Sequence, residues 1–108
     1  MDTQPRFSLD LSAIVTPSPE VMAQELDGET VLLNLESERY FGLDDVGTRV
    51  WQHVLEHRRL ERVCGEMQKE YDVDESRLRA DVLQLVEELL EAGIVTVEQN
   101  VTNDAGDS

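Results

Sequence analysis

Basic residues are scarce in this chain. The nine lysines and arginines, of which Lys69 is the single lysine, stand against 24 aspartates and glutamates, and the formal net charge is −15. Nucleic-acid-binding domains neutralise phosphates with Lys and Arg, and anionic bilayers attract the same cations. We therefore expect neither nucleic acid nor an acidic membrane surface as a partner. The expected partner is a neutral, basic or apolar surface, most simply another polypeptide.

Cysteine and long apolar runs are also scarce. Cys64 is the only cysteine, which excludes an intramolecular disulfide framework and a multi-cysteine metal site. No apolar run approaches the ~18 residues that a transmembrane helix needs, and residues 1–11 lack the unbroken apolar core of a secretory signal. With 108 residues, the chain has room for one core. We expect a cytoplasmic, single-domain protein without a membrane partner.

Motifs for catalysis or cofactor binding are missing. His53 and His57 have an i, i+4 spacing that can hold a metal, but no third ligand is identifiable, and surface or border positions are expected for both. Cys64 falls on the apolar side of a predicted helix, which favours a buried, unreactive thiol. Phosphate-binding glycine loops are absent. We predict a protein that is not an enzyme, with no cofactor and no metal.

Strand-like patterns occupy the first half of the chain. Strands are predicted over residues 21–26, 30–35 and 39–43. Asp27-Gly28 lies between the first two and suits the positive φ angles of a tight hairpin turn. Before them, residues 1–19 are predicted to form an N-terminal arm, with a short extended stretch near residues 13–16.

Two of these strands have informative faces. Val31, Leu33 and Leu35 share one face of the second strand and Leu32 occupies the other, which indicates a strand partly covered on both faces. In the third strand, the adjacent aromatics Tyr40 and Phe41 must point to opposite faces. One is expected in the core, and the other is a candidate anchor for a ligand.

Helical patterns follow. Asp44 is a suitable N-cap for a first helix, in which Val46, Val50, Val54, Trp51 and Leu55 form the apolar face. Trp51 is expected in the core. A second helix is predicted over about residues 60–71, with an apolar side made of Leu60, Val63, Cys64, Met67 and Tyr71. A third is predicted over about 75–92, with an apolar stripe made of Leu78, Val82, Leu85, Val86, Leu89 and Leu90.

The ends of the third helix have their own signals. Asp74 can cap its start and Gly93 can end it. Residues 94–98 are consistent with a last short strand, and residues 99–108 with a disordered acidic tail. The order is therefore β-β-β-α-α-α, which predicts an α+β, winged helix-turn-helix-like fold with a three-stranded antiparallel sheet followed by three helices.

An ordered set of segments over residues 20–98 resembles PqqD-like proteins. In the front half the matching segments are 28–35, 39–44, Gly47 and Val50-Trp51; in the back half they are 70–74, Asp81-Val82, Leu85, Leu89-Leu90 and 93–95. Asp44 stands where the family often has asparagine, and both residues can cap a helix. The ordered spacing, rather than any single motif, gives the resemblance its specificity.

The resemblance implies a recognition element for ribosomally synthesised, modified peptides. Such domains bind the leader of a precursor peptide as an added strand beside the third β-strand, over a groove closed by the third helix. They serve pathways that make pyrroloquinoline quinone, lasso peptides and other products. The implied partners are a precursor peptide and a modifying enzyme such as a radical-SAM protein or a leader peptidase.

The residues are compatible with this mode of binding. Unless the terminal strand covers it, the predicted strand 39–43 has a free edge, and unpaired N–H and C=O groups there are a template for an extended peptide. Pockets are expected between Tyr40 or Phe41 and the shoulder of the third helix, where Arg77 and Asp81 could select leader charges. The predicted peptide-binding residues are Arg39, Tyr40, Phe41, Gly42, Leu43, Arg77, Leu78, Asp81, Val82 and Leu85.

Two other functions compete with peptide binding. A winged-helix transcriptional regulator would insert the third helix into DNA, but that helix combines Arg77 and Arg79 with five acidic residues, a surface that repels phosphates. A small enzyme using Cys64 or the histidines would need a base within reach, which the sequence does not place. The oligomeric state stays open, because a free strand edge also permits dimerisation.

Overall fold

The computed structural model describes residues 9–99 and confirms the predicted α+β class. The strands are β1 (Ile14–Pro17), β2 (Val21–Leu26), β3 (Glu29–Asn34), β4 (Arg39–Leu43) and β5 (Val95–Glu98). The helices are α1 (Asp45–His57), α2 (Leu60–Glu70) and α3 (Glu75–Glu91). Most of the predicted acidic tail, residues 100–108, and the first eight residues of the predicted arm lie outside the described part of the chain.

Strands β2, β3 and β4 form an antiparallel sheet in that order. The β2–β3 hairpin turns at Asp27 and Gly28, whose φ angles are 54° and 82°. Positive φ at both central residues is the geometry that a two-residue hairpin prefers. The prediction made from this dipeptide is therefore confirmed.

The prediction that β3 is partly covered on both faces is wrong. Leu32 has no exposed surface, and its inward-facing neighbours Thr30 and Asn34 are buried. On the opposite face Val31 is 52% exposed and Leu33 is half-buried. Helix α1 packs against the inner face, and residues of α1, α2 and α3 join Leu32 in one buried cluster, so one face of the sheet packs on the core and the other faces solvent.

Most of the helix caps and buried helix positions that the sequence predicts are present in the structure. The Asp44 carboxylate accepts a hydrogen bond from the Gly47 N–H at 2.7 Å, and the Asp74 carboxylate accepts one from the Arg77 N–H at 3.2 Å. Gly93 ends α3 with a φ of 76°. Trp51 is buried, as predicted. Of the predicted α1 face, Val46 and Leu55 are exposed instead, because they lie at its margins.

Strands β1 and β5 form a second, two-stranded sheet. Strand β1 pairs antiparallel with β5, with Ile14 opposite Glu98, and Val15 has no exposed surface. Asn34 joins the two sheets, since its side-chain amide donates to the Gly93 carbonyl at 2.7 Å. None of the helices within residues 9–99 has the length and apolar character required to cross a bilayer.

Candidate functional site

The outer edge of β4 is free in the described part of the chain. β4 is the last strand of its sheet, and the terminal strand β5 does not cover it, because β5 pairs with β1 instead. An uncovered edge offers backbone donors and acceptors to an incoming strand. The condition on which strand addition depends is therefore met.

The hairpin fixes which β4 residues offer those groups. Antiparallel residues alternate in the side to which they direct both N–H and C=O, and the two-residue turn makes Leu26 and Glu29 the first bonded pair. In the same phase, the Leu35 N–H donates to the Glu20 carbonyl at 2.9 Å. The odd-numbered β3 residues thus bond to β2, and the even-numbered ones to β4.

The consequence for β4 follows from the register. Leu32 lies opposite Phe41 and Thr30 opposite Leu43, so Phe41 and Leu43 direct their backbone groups into the sheet. Tyr40 and Gly42, one residue out of phase, direct their N–H and C=O groups to the free edge. These two residues are the available backbone template.

A groove of about 820 Å³ runs beside this edge. Its walls are β4, the start of α1, the end of α2 with the loop after it, and one side of α3. Eight of the ten predicted site residues line the groove: Phe41, Gly42, Leu43, Arg77, Leu78, Asp81, Val82 and Leu85. Arg39 and Tyr40 belong to β4 but do not line it. Strand β4 and helix α3, predicted as two parts of one site, do lie on opposite walls of a single groove.

Side-chain direction explains the split within β4. Phe41 and Leu43 point to the inner face, where Phe41 is half-buried against the core and Leu43 is buried. Tyr40 points to the outer face and is 74% exposed. Of the two aromatics, Phe41 is therefore the one that contributes to the groove.

The remaining groove residues were not in the predicted site. They are Asp44, Val46, Gly47, Val50, Met67, Tyr71, Val73, Asp74 and Glu88. A Cβ atom at Gly47 would lie 3.2 Å from the Asp44 carboxylate and 3.3 Å from Leu43, so this buried glycine lets α1 begin close to β4. Its presence four residues after Leu43 is the signal that the start of α1 is part of the site.

The outer face of the β2–β3–β4 sheet is exposed and mostly apolar, with Gln24 and Glu29 among its apolar side chains. Leu26 is 70% exposed, and Met22, Val31 and Tyr40 are each more than half exposed. With the half-buried Leu33 they line a shallow hollow of about 540 Å³. An exposed apolar face of this kind marks an interaction surface more often than a solvated one. We call it the outer sheet face.

The predicted surface or border position is wrong for His53, which is only 5% exposed. Its Nε2 lies 3.1 Å from the Glu70 carboxylate and 3.2 Å from the Arg49 guanidinium. Arg49 also donates to Glu70. This hydrogen bond, followed by the one from His53, keeps the pKa of Glu70 below its usual range. The three side chains tie α1 to α2.

The surroundings of His53 disfavour a metal ion. Ligand atoms of His53, Glu56 and His57 lie within 4.8 Å of one another, so the structure supplies the third group that the sequence did not reveal. The Arg49 guanidinium lies 3.2 Å from His53 Nε2 and repels a cation there, and the Glu70 carboxylate already lies within hydrogen-bond distance of the same nitrogen, so Nδ1 is the one nitrogen of this ring that has no described partner. Cys64 is buried, as predicted, and burial raises the pKa of its thiol, which disfavours the reactive thiolate.

A protein-family model matches most of the described chain. Residues 29–95, more than half of the chain, match the family model described as coenzyme PQQ synthesis protein D (PqqD). The chain belongs to the PqqD family. The matched residues extend from the start of β3 to the first residue of β5 and so include both walls of the groove.

Two solved structures resemble this PqqD-family chain. One is TbiB1 in complex with the TbiA(beta) leader peptide, with 32% identity, a TM-score of 0.70, and coverage of 74% of this chain and 93% of that one. The other is a lasso peptide synthetase B1 complexed with the leader peptide, with 27% identity, a TM-score of 0.69, and coverage of 76% and 96%. No curated protein matches the chain.

Proposed function

We propose that this chain is a non-catalytic peptide chaperone that binds the leader segment of a ribosomally synthesised precursor by strand addition to β4. The observation that supports this most directly is the free β4 edge beside an apolar groove. Both similar structures are leader-peptide complexes. Residues 20–98 are the proposed peptide-binding domain, braced by the pairing of β1 with β5.

Energetics explain why both the edge and the groove are needed. Tyr40 and Gly42 offer four backbone groups, and each hydrogen bond contributes only about 0.5–1.5 kcal/mol net. Ordering a flexible peptide costs about 1–2 kcal/mol per residue. Apolar burial at about 25 cal/mol per Å² must supply the difference. Phe41, Leu78 and Leu85 offer that apolar surface in the groove.

A bound strand would place its side chains on two faces. Residues of the guest opposite Phe41 would enter the groove, and those opposite Tyr40 and Gly42 would extend the outer sheet face. A modifying enzyme that docks on this face would contact the leader and the chaperone together. Continuity with the peptide-binding edge therefore supports the outer sheet face as the surface that presents the precursor to a radical-SAM protein or a leader peptidase.

A transcriptional regulator is the weaker alternative. The side of α3 that lines the groove carries Asp81 and Glu88, which repel a phosphate backbone. Both similar structures hold a peptide. We expect no shift of duplex DNA in a low-salt electrophoretic assay.

The groove is tested by removing its apolar contacts. Phe41→Ala and Leu85→Ala are each expected to weaken binding of a synthetic leader peptide by about tenfold, because each removes apolar surface whose burial contributes about 1–2 kcal/mol. Calorimetric titration gives the affinities, and circular dichroism confirms folding. Leu55→Ala, an exposed α1 residue away from the groove, is the matched control. Wild-type affinity in both folded groove variants would refute the site.

The presenting surface is tested separately. Val31→Lys is expected to leave leader affinity within about twofold, since Val31 points away from the groove, and to slow processing of the full precursor by its enzyme severalfold or more, because a buried unpaired charge opposes docking. Steady-state rates at saturating precursor measure this. Equal processing by Val31→Lys and the unaltered chain would exclude the outer sheet face as the docking surface.

A further inference from the structure

The helical wall of the groove carries a row of carboxylates. Asp74, Asp81 and Glu88 all line the groove and are spaced seven residues apart. Seven residues are close to two helical turns, with a drift of only about 20°, so the three lie along one side of α3. Successive members are about 10.5 Å apart at 1.5 Å per residue.

Cations do little to balance this row. Asp44 adds a fourth carboxylate, and Arg77 is the one basic residue lining the groove within residues 9–99. Arg77 Nε lies 4.0 Å from the Asp81 carboxylate, and both side chains are mostly exposed. Exposed pairs at this distance are weak, so the pair leaves Asp81 available to a competing cation.

The carboxylates of the groove differ in their structural roles. Asp44 and Asp74 cap helices, which accounts for them structurally. Glu88, by contrast, lies in the last turn of α3, where the helix dipole disfavours an anion and no basic residue is present. The one described hydrogen bond of its side chain is accepted from Gln84 at 3.4 Å. Helix stability therefore does not explain Glu88.

From this arrangement we infer that the groove selects leader segments that combine apolar residues with lysine or arginine and rejects acidic segments. The inference rests on the proposed peptide-binding function and adds the sign of the charge. The row from Asp74 to Glu88 spans about 21 Å of helix, which an extended guest covers with about six or seven residues. Cationic side chains of such a segment can reach Asp81 and Glu88 while its apolar side chains enter the groove.

Selection from a display library of random peptides tests the inference without knowledge of the natural leader. On the intact protein, peptides that the groove enriches should carry an excess of lysine and arginine over acidic residues. Their affinity should fall with added salt, because exposed charges are screened. The double variant Asp81→Lys/Glu88→Lys should instead enrich acidic peptides.

A variant that removes the two charges measures how much they contribute to peptide affinity. Asp81→Asn/Glu88→Gln should weaken binding of an enriched basic peptide about three- to tenfold, the range expected of two exposed ion pairs. Glu87→Gln/Glu91→Gln makes the same charge change on exposed residues of α3 that do not line the groove, and should change affinity by less than about twofold. Unchanged melting temperatures would show that the loss does not come from unfolding.

Three outcomes would contradict either the charge selection or the peptide-binding groove, and each outcome identifies which of the two is wrong. Enriched peptides without a charge bias would overturn the charge selection alone. Equal effects of the groove pair and the control pair would assign the bias to the overall charge of −15 and also overturn it. Enriched peptides that bind Phe41→Ala as tightly as the unaltered chain would instead overturn the groove, and with it the proposed function.

Discussion

Gly42→Pro is expected to weaken leader binding at least about tenfold while the domain stays folded. The Gly42 N–H points to the free edge of β4, so proline removes a donor that the guest strand needs and not one that β3 uses. The guest acceptor left without a partner costs about 1–3 kcal/mol, and 1.4 kcal/mol is a factor of ten in affinity. Titration with the synthetic leader measures the loss.

Gly42→Ala is the matched control for this variant. It keeps the N–H, and the described residues leave open space around the position of the added Cβ. Its affinity should stay within about twofold of the unaltered chain. Amide shifts in Arg39–Leu43 on adding the leader should be large for Gly42→Ala and small for Gly42→Pro. If the proline variant binds normally, the guest does not pair with this edge.

Leu32→Ala is expected to destabilise the fold by about 2–5 kcal/mol, the cost of emptying a fully buried leucine site. Val31→Ala, one residue away on the other face, should change the free energy of unfolding by less than about 0.5 kcal/mol. Burial decides the difference, since Leu32 has no exposed surface and Val31 is 52% exposed. Urea unfolding with an unchanged m-value measures both. Similar losses in the two variants would mean that the outer sheet face is covered in solution.

The elements themselves are predictable from local chemistry. Asp27-Gly28 predicts the hairpin, Asp44 and Asp74 predict the helix starts, and Gly93 predicts the end of α3. Each of these signals acts within a few residues along the chain, as a turn conformation or a cap does. The predicted boundaries either coincide with those of the structure or differ by one residue, because the terminal residues of an element have weak preferences.

The face of β3 is not predictable in the same way. Val31, Leu33 and Leu35 form the more apolar set, whereas the buried set is Thr30, Leu32 and Asn34. Thr30 and Asn34 are tolerated inside because each has a partner: the Thr30 hydroxyl lies 2.9 Å from that of Thr48, and the Asn34 amide donates to Gly93. Tertiary hydrogen bonds of this kind leave no local pattern, so hydrophobic alternation favours the wrong face.

The candidate site is predictable in part for a related reason. The residues predicted on β4 and α3 came from the family resemblance and from periodicity, and most of them line the groove. Val73 was missed because its position depends on how the loop between α2 and α3 packs against the other walls of the groove, whereas Glu88 follows Asp81 by two helical turns, a spacing that could have revealed it. The packing of that loop is set by elements far apart in sequence.

Strand β1 and strand β5 bring the two ends of the described chain together. Beyond the strand pairs, the Asp10 N–H donates to the Gln99 side chain at 2.9 Å, across 89 positions of sequence. Adjacent ends are the feature that makes circular permutation and insertion into a host protein tolerable. A fusion partner attached before Asp10 or after Gln99 would therefore leave the domain from the same part of its surface. The two kinds of fusion would need linkers of similar length.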